Sequence, residues 1–170
     1  MKKLLFVLAL IAFASCNSSQ SQMKKWVEDK IEKQATSKGQ KYEASDFGTF
    51  YAIGFKENAD SLAKAKGMTP MGDDDVYWKM INREGWIAGN LQENPFCDLS
   101  KVKETAVEID NFIKEQHLTA NCYFVIHKYK ITDSDLGVSS NMTAGLVIGA
   151  PGEKYEGVLH CCEKSIQPNE

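Results

Sequence analysis

Residues 121–131 read NCYFVIHKYKI, and residues 141–150 read NMTAGLVIGA. Aromatic and β-branched side chains crowd the first stretch, and such residues suit a pleated, half-buried surface. On a strand, alternate side chains share a face. Tyr123, Val125, His127, Tyr129 and Ile131 then line one face, with Lys128 and Lys130 on the other. The second stretch ends in Ala150-Pro151-Gly152-Glu153. Proline then glycine at the two central positions signals a type II turn. YEGVLHCCE, residues 155–163, returns as a third strand and completes a hairpin. Upstream, Asp98 stands as an N-cap, and Leu99, Val102, Ala106, Ile109 and Ile113 mark one helix face up to about His117. A helix laid across a three-strand antiparallel meander is an α+β arrangement.

The same reading extends towards the N-terminus. Met23, Val27, Ile31 and Ala35 recur every four residues, with Trp26 beside them and charges opposite, and Gly39 follows as a stop. FGTFYAIGF, residues 47–55, reads as a strand with Phe47, Tyr51, Ile53 and Phe55 on one face. Gly48, Ala52 and Gly54 keep the other face small, which suits close approach by another backbone. Residues 58–66 suit a short helix, and Gly72-Asp73-Asp74-Asp75 a cap. The segment after that cap fits neither period cleanly and is read as helical. Residues 23–170 thus form one α+β domain, and no repeat or proline-rich linker divides them. The element order is similar to cystatin-like and NTF2-like folds, a likeness that carries no function.

The start of the chain carries an address. Met1-Lys2-Lys3 precedes an apolar run from Leu4 to Ala14. A membrane-spanning helix needs about 20 apolar residues, so the run suits a cleaved secretory signal instead. Ala12-Phe13-Ala14 fits a general signal peptidase site that would leave Ser15 as the new N-terminus. Phe13-Ala14-Ser15-Cys16 resembles the lipobox of the bacterial lipoprotein class, with Phe13 where leucine is typical. The resemblance implies a signal peptide at 1–15, a lipid on Cys16, a solvated tether at 16–22, and a place in the cell envelope on a membrane. The general peptidase site implies a secreted soluble protein instead. Acyl chains contribute about 0.8 kcal/mol per buried methylene, so several together hold a protein at a membrane.

Loss of residues 1–15 leaves 18 basic and 23 acidic residues, a net charge of −5, with Arg83 the only arginine. That balance argues against nucleic acid as a partner, since phosphate contacts need clustered Lys and Arg.

Four cysteines remain in the domain: Cys97, Cys122, Cys161 and Cys162. Cys97 and Cys122 bracket a helix about 30 Å long, too far for a disulfide. In a meander the first and third strands run parallel, which also separates Cys122 from Cys161. The N-terminal end of the helix falls near the end of the third strand. A disulfide from Cys97 to Cys161 or Cys162 follows, with Cys161 preferred because it shares a face with Tyr155 and Leu159. Four reduced, packed cysteines are the alternative.

LHCCE, residues 159–163, offers soft-metal donors, but His160 and Cys162 share a face and Cys161 points away. No further ligand at a metal-site spacing accompanies them, so no metal and no cofactor is expected. GDDDVYW lacks the alternating ligands of a calcium loop and suits a solvated helix cap. Phe50, Trp78 and Trp86 are candidates for an aromatic partner surface. His127, Tyr129 and Tyr123 are the candidate ligand pocket, with a core histidine as the alternative reading of His127. No nucleophile elbow or cysteine-protease signature appears. The functional expectation is a non-enzymatic binding module for a protein or another envelope component. A small-ligand domain with its pocket at His127, or a hydrolase or hydrolase inhibitor, stands beside it.

Overall fold

A computed structural model describes residues 2–93, 97–151 and 161–166, with side chains described at 19–92 and 97–151. The elements run α1 (Lys2–Ser37), β1 (Gln40–Phe47), β2 (Tyr51–Phe55), α2 (Ala59–Ala65), α3 (Val76–Glu93), α4 (Leu99–Glu115), β3 (Ala120–Asp133), β4 (Ser139–Gly149) and β5 (Cys161–Ile166). The fold is α+β, with one antiparallel sheet ordered β1-β3-β4-β5 and β2 also paired to β3. Helices cover both faces of this sheet, so the chain stacks three layers.

β3 is the axis of the fold, because its alternation feeds two cores. Cys122 and Phe124 pack with Val102, Ala106 and Ile109 of α4 and with Ile87 and Leu91 of α3. Val125 and Tyr129, on the opposite face, pack with Met23, Val27 and Ile31 of α1. Full burial of each such side chain contributes about 1.5–3 kcal/mol, and this fixes register, since a one-residue slip would exchange the two faces.

The helices start and stop where local chemistry directs. Met23, Val27, Ile31 and Ala35 of α1 are all buried, and Gly39 follows the helix with φ +71°, a conformation that favours glycine. Asn58 caps α2 by accepting from the Ser61 N–H at 2.9 Å. Asp98 caps α4 by accepting from the Ser100 and Lys101 N–H groups. Asp75 sits at the head of α3, where Oδ1 accepts from the Tyr77 and Trp78 N–H groups and Oδ2 from Met71. The expected solvated cap is therefore a buried one. Those donors, Trp78 first, hold its carboxyl below the usual range against the opposing effect of desolvation.

Residues 16–22, expected as a solvated tether, lie within α1. Two further features depart from the sequence reading. β1 is a strand although only scattered residues along it are even partly buried. It is an edge strand, and one polar side can face water there. The expected single strand over 47–55 is broken, because three residues, 48–50, stand opposite only two of β3, 125 and 126. Gly48 makes the crossing: its N–H donates to the Ile126 carbonyl at 2.9 Å, and a Cβ there would lie 3.1 Å from the same oxygen. Among the described residues, no helix is long and apolar enough to cross a membrane. The turn at Gly152 and the strand positions from Tyr155 to His160 lie outside the described residues.

Candidate functional site

His127 has no solvent exposure. Its Nδ1 lies 2.8 Å from the Asp46 carbonyl and its Nε2 lies 2.8 Å from the Tyr42 hydroxyl. A carbonyl only accepts, so the proton sits on Nδ1, Nε2 is the acceptor, and Tyr42 donates. Phe47 stacks on the ring at 3.9 Å between centroids, with Tyr129 at 5.2 Å. Burial pushes the imidazole pKa below its ordinary value, against the Asp46 carbonyl, which raises it. Burial also drives the Tyr42 phenol well above its usual range, with the charges of Glu28 and Glu32 adding to the shift. No lone pair or proton of His127 is left for a ligand. It is the satisfied core histidine.

The pocket expected around His127, Tyr129 and Tyr123 is therefore corrected. Tyr129 lines an opening of about 300 Å³ near Lys38, at the end of α1. Tyr123 lines another of about 520 Å³ at the opposite end of the sheet. His127 lines neither.

Cys122 is the free cysteine of the described side chains. Its Sγ donates to Glu84 Oε1 at 3.3 Å. Burial, then the adjacent Glu84 charge, push its thiol pKa far up, and burial likewise raises Glu84. A nucleophile needs the thiolate, which this setting suppresses. Cys122 and His127 also lie on opposite faces of β3, so they form no pair. Among the described residues no group of three or more His, Cys, Asp or Glu side chains could hold a metal. The side chains of His160, Cys161 and Cys162 lie outside the described residues.

The expected aromatic surface is dispersed. Phe50 is buried against α1, while Trp86 lies on the far side of the molecule, 37% exposed, beneath the Lys101 ammonium.

The cavity of about 520 Å³ is built by three elements. α1 contributes Ser19, Gln20 and Met23. Phe50, Ala52 and Tyr123 come from the sheet side, and Ile113, Lys114 and His117 from the end of α4. Its floor is apolar, and one wall holds a buried charge. Asp110 is 6% exposed, accepts from the Ala52 N–H at 3.0 Å and pairs with the Lys114 ammonium one turn on. α4 then closes in a Schellman arrangement. The Leu118 N–H reaches back to the Ile113 carbonyl and the His117 N–H to Lys114. His117 holds φ +55° there, the left-handed region. A glycine would occupy that position without strain. Instead the chain places an exposed imidazole at the cavity rim. The sequence held one signal of this site, a carboxylate beside Ile109 on an apolar helix face with lysine four residues later.

No family model matches the chain, and neither the curated proteins nor the solved structures contain a match.

Proposed function

We propose that this protein is a membrane-tethered lipoprotein of the bacterial cell envelope, acting as a non-enzymatic binding module. Cys16 is its lipid attachment, and the cavity between α1 and the end of α4 is its ligand site. The cavity carries the reading: about 520 Å³, lined by apolar side chains together with polar groups from both α1 and the end of α4, has the size of a small-molecule site. Thermal shift of the full chain against small envelope metabolites tests it, with Gln20→Trp run beside the wild type. Gln20 is exposed on α1 and lines the cavity, so the indole blocks the site without disturbing a core. A ligand selective for the native state raises Tm. The result expected is a rise in the wild type that Gln20→Trp abolishes; a rise equal in both would refute the site.

A second observation favours a protein partner at the other pole. The β3–β4 turn exposes Leu136 by 76% and Val138 by 60%. It lies beside the C-terminal end of α1, where the Ser134 N–H donates to the Gly39 carbonyl. That end is roughly 25 Å along the helix from Gln20. Crosslinking from position 136 in native membranes, with Leu136→Ser as control, reads out such a partner.

We also propose a disulfide from Cys97, and the strand register shifts the preferred partner from Cys161 to Cys162. Cys161 stands opposite Leu146, which belongs to the core on the α1 side. Cys162 stands opposite Gly145, whose Cα faces Leu91 and Leu99 on the side where α4 begins. Cys97 is fully buried at that point. Peptide mapping without reduction separates a Cys97–Cys162 bridge from a Cys97–Cys161 bridge, and the latter would refute the register argument.

A further inference from the structure

We infer that the cavity between α1 and α4 takes a single-chain anionic amphiphile, a fatty-acid-like molecule drawn from the leaflet to which the protein is tethered. The inference rests on the cavity as the ligand site, and its membrane source rests on the lipid at Cys16.

Three independent observations converge. The first is lining: Met23, Phe50 and Ile113 give the cavity an apolar part that suits hydrocarbon, with polar side chains beside it at Gln20, Lys114 and His117. The second is charge. The one buried carboxylate of the wall, Asp110, is satisfied by the Ala52 N–H and the Lys114 ammonium. It therefore asks for no cationic ligand. Lys114 keeps 70% of its side chain exposed, and His117 stands beside it at the rim. A carboxylate or phosphate head there accepts from the remaining ammonium protons while its tail lies on the apolar floor.

The third observation is position. Ser19 and Gln20 form part of the cavity wall. Cys16 lies four residues before Gln20 along α1, about 6 Å along the axis. Any lipid on Cys16 thus holds the cavity mouth close to the bilayer surface, whereas the Leu136 turn faces away from it. A site so placed draws its ligand from the leaflet, where amphiphiles are concentrated.

The test is titration of the full chain with oleate, read by native mass spectrometry and by Tm, with oleyl alcohol as the uncharged probe. Lipidated wild type and Cys16→Ala are both titrated. The result expected is one oleate bound by both proteins, with oleyl alcohol at least tenfold weaker. Gln20→Trp abolishes binding, and His117→Gln, which leaves the Asp110–Lys114 pair intact, weakens oleate about three- to tenfold. Oleate bound equally by Gln20→Trp overturns the inference. Equal binding of oleate and oleyl alcohol, both blocked by Gln20→Trp, overturns the anionic class but leaves the cavity as the ligand site. Binding by Cys16→Ala alone overturns the free source and assigns the cavity to the protein's own acyl chain.

Discussion

The buried histidine gives the sharpest test of the packing between α1 and the sheet. His127 is sealed by Phe47 and Tyr129 and holds a neutral ring between Asp46 and Tyr42. Its pKa is depressed in the folded protein, whereas an unfolded histidine titrates near 6.5. Below that value the unfolded chain takes up a proton that the native chain refuses. The stabilising contribution is therefore complete above pH 6.5 and is lost as the pH falls towards the folded value. A single proton gives a slope of at most about 1.4 kcal/mol per pH unit. Between pH 7.5 and pH 5.5 the wild type should lose up to about 1.4 kcal/mol through this residue, or up to about 6 °C in Tm for a domain of this size. His127→Phe keeps a stacking ring but cannot titrate. At pH 7.5 it should be less stable by about 1–3 kcal/mol, because the Tyr42 hydroxyl and the Asp46 carbonyl lose their partner. Urea denaturation at both pH values, followed by tryptophan fluorescence, measures the two variants. The pH-dependent loss should be smaller in His127→Phe by the amount given. Equal losses in the two proteins would mean that the native ring protonates as freely as an unfolded one, and the sealed, neutral histidine would be refuted.

Two further substitutions probe the other core. Gly54→Ala places a Cβ 2.4 Å from Asn121 Oδ1 and 2.7 Å from Cys122 Sγ, so a drop of about 1–3 kcal/mol in urea denaturation is expected. An unchanged midpoint would show that the Glu84–Cys122 contact gives way without strain. Asp98→Ala removes the acceptor for two N–H groups at the head of α4 and should cost about 1 kcal/mol, with Asp98→Asn close to neutral.

The parts of the fold that were legible are those where one residue pattern admits one structure. Leu99 to Ile113 at helical spacing behind Asp98 gave α4 its cap and its buried face. Met23, Val27, Ile31 and Ala35 did the same for α1. The alternation of Tyr123, Val125 and His127 placed the histidine on the correct face of β3. What it could not reveal is what lies over that face. Two ring nitrogens satisfied by a carbonyl 81 residues away and a hydroxyl 85 away depend on β1, an edge strand whose polar residues give no alternation. The cavity was illegible for a similar reason. Its lining comes from α1, the Phe50 crossing and the end of α4, segments far apart in the chain. Asp110 alone broke an apolar pattern there. The partner proposed for Cys97 turns on parity: face-sharing with Tyr155 and Leu159 favours Cys161, whereas the pairing of β5 with Leu146 and Gly145 favours Cys162.

Both the proposed address and the proposed source of a ligand hang on Cys16. Mass spectrometry of the N-terminal peptide from the mature, membrane-extracted protein tests it directly. The account predicts a chain that begins at Cys16, with the thiol carrying a diacylglyceryl thioether, so that the cavity mouth at Gln20 is held at the bilayer. A chain that begins at Ser15 with an unmodified Cys16 would contradict it, and would make this a freely secreted protein whose cavity meets its ligand in solution.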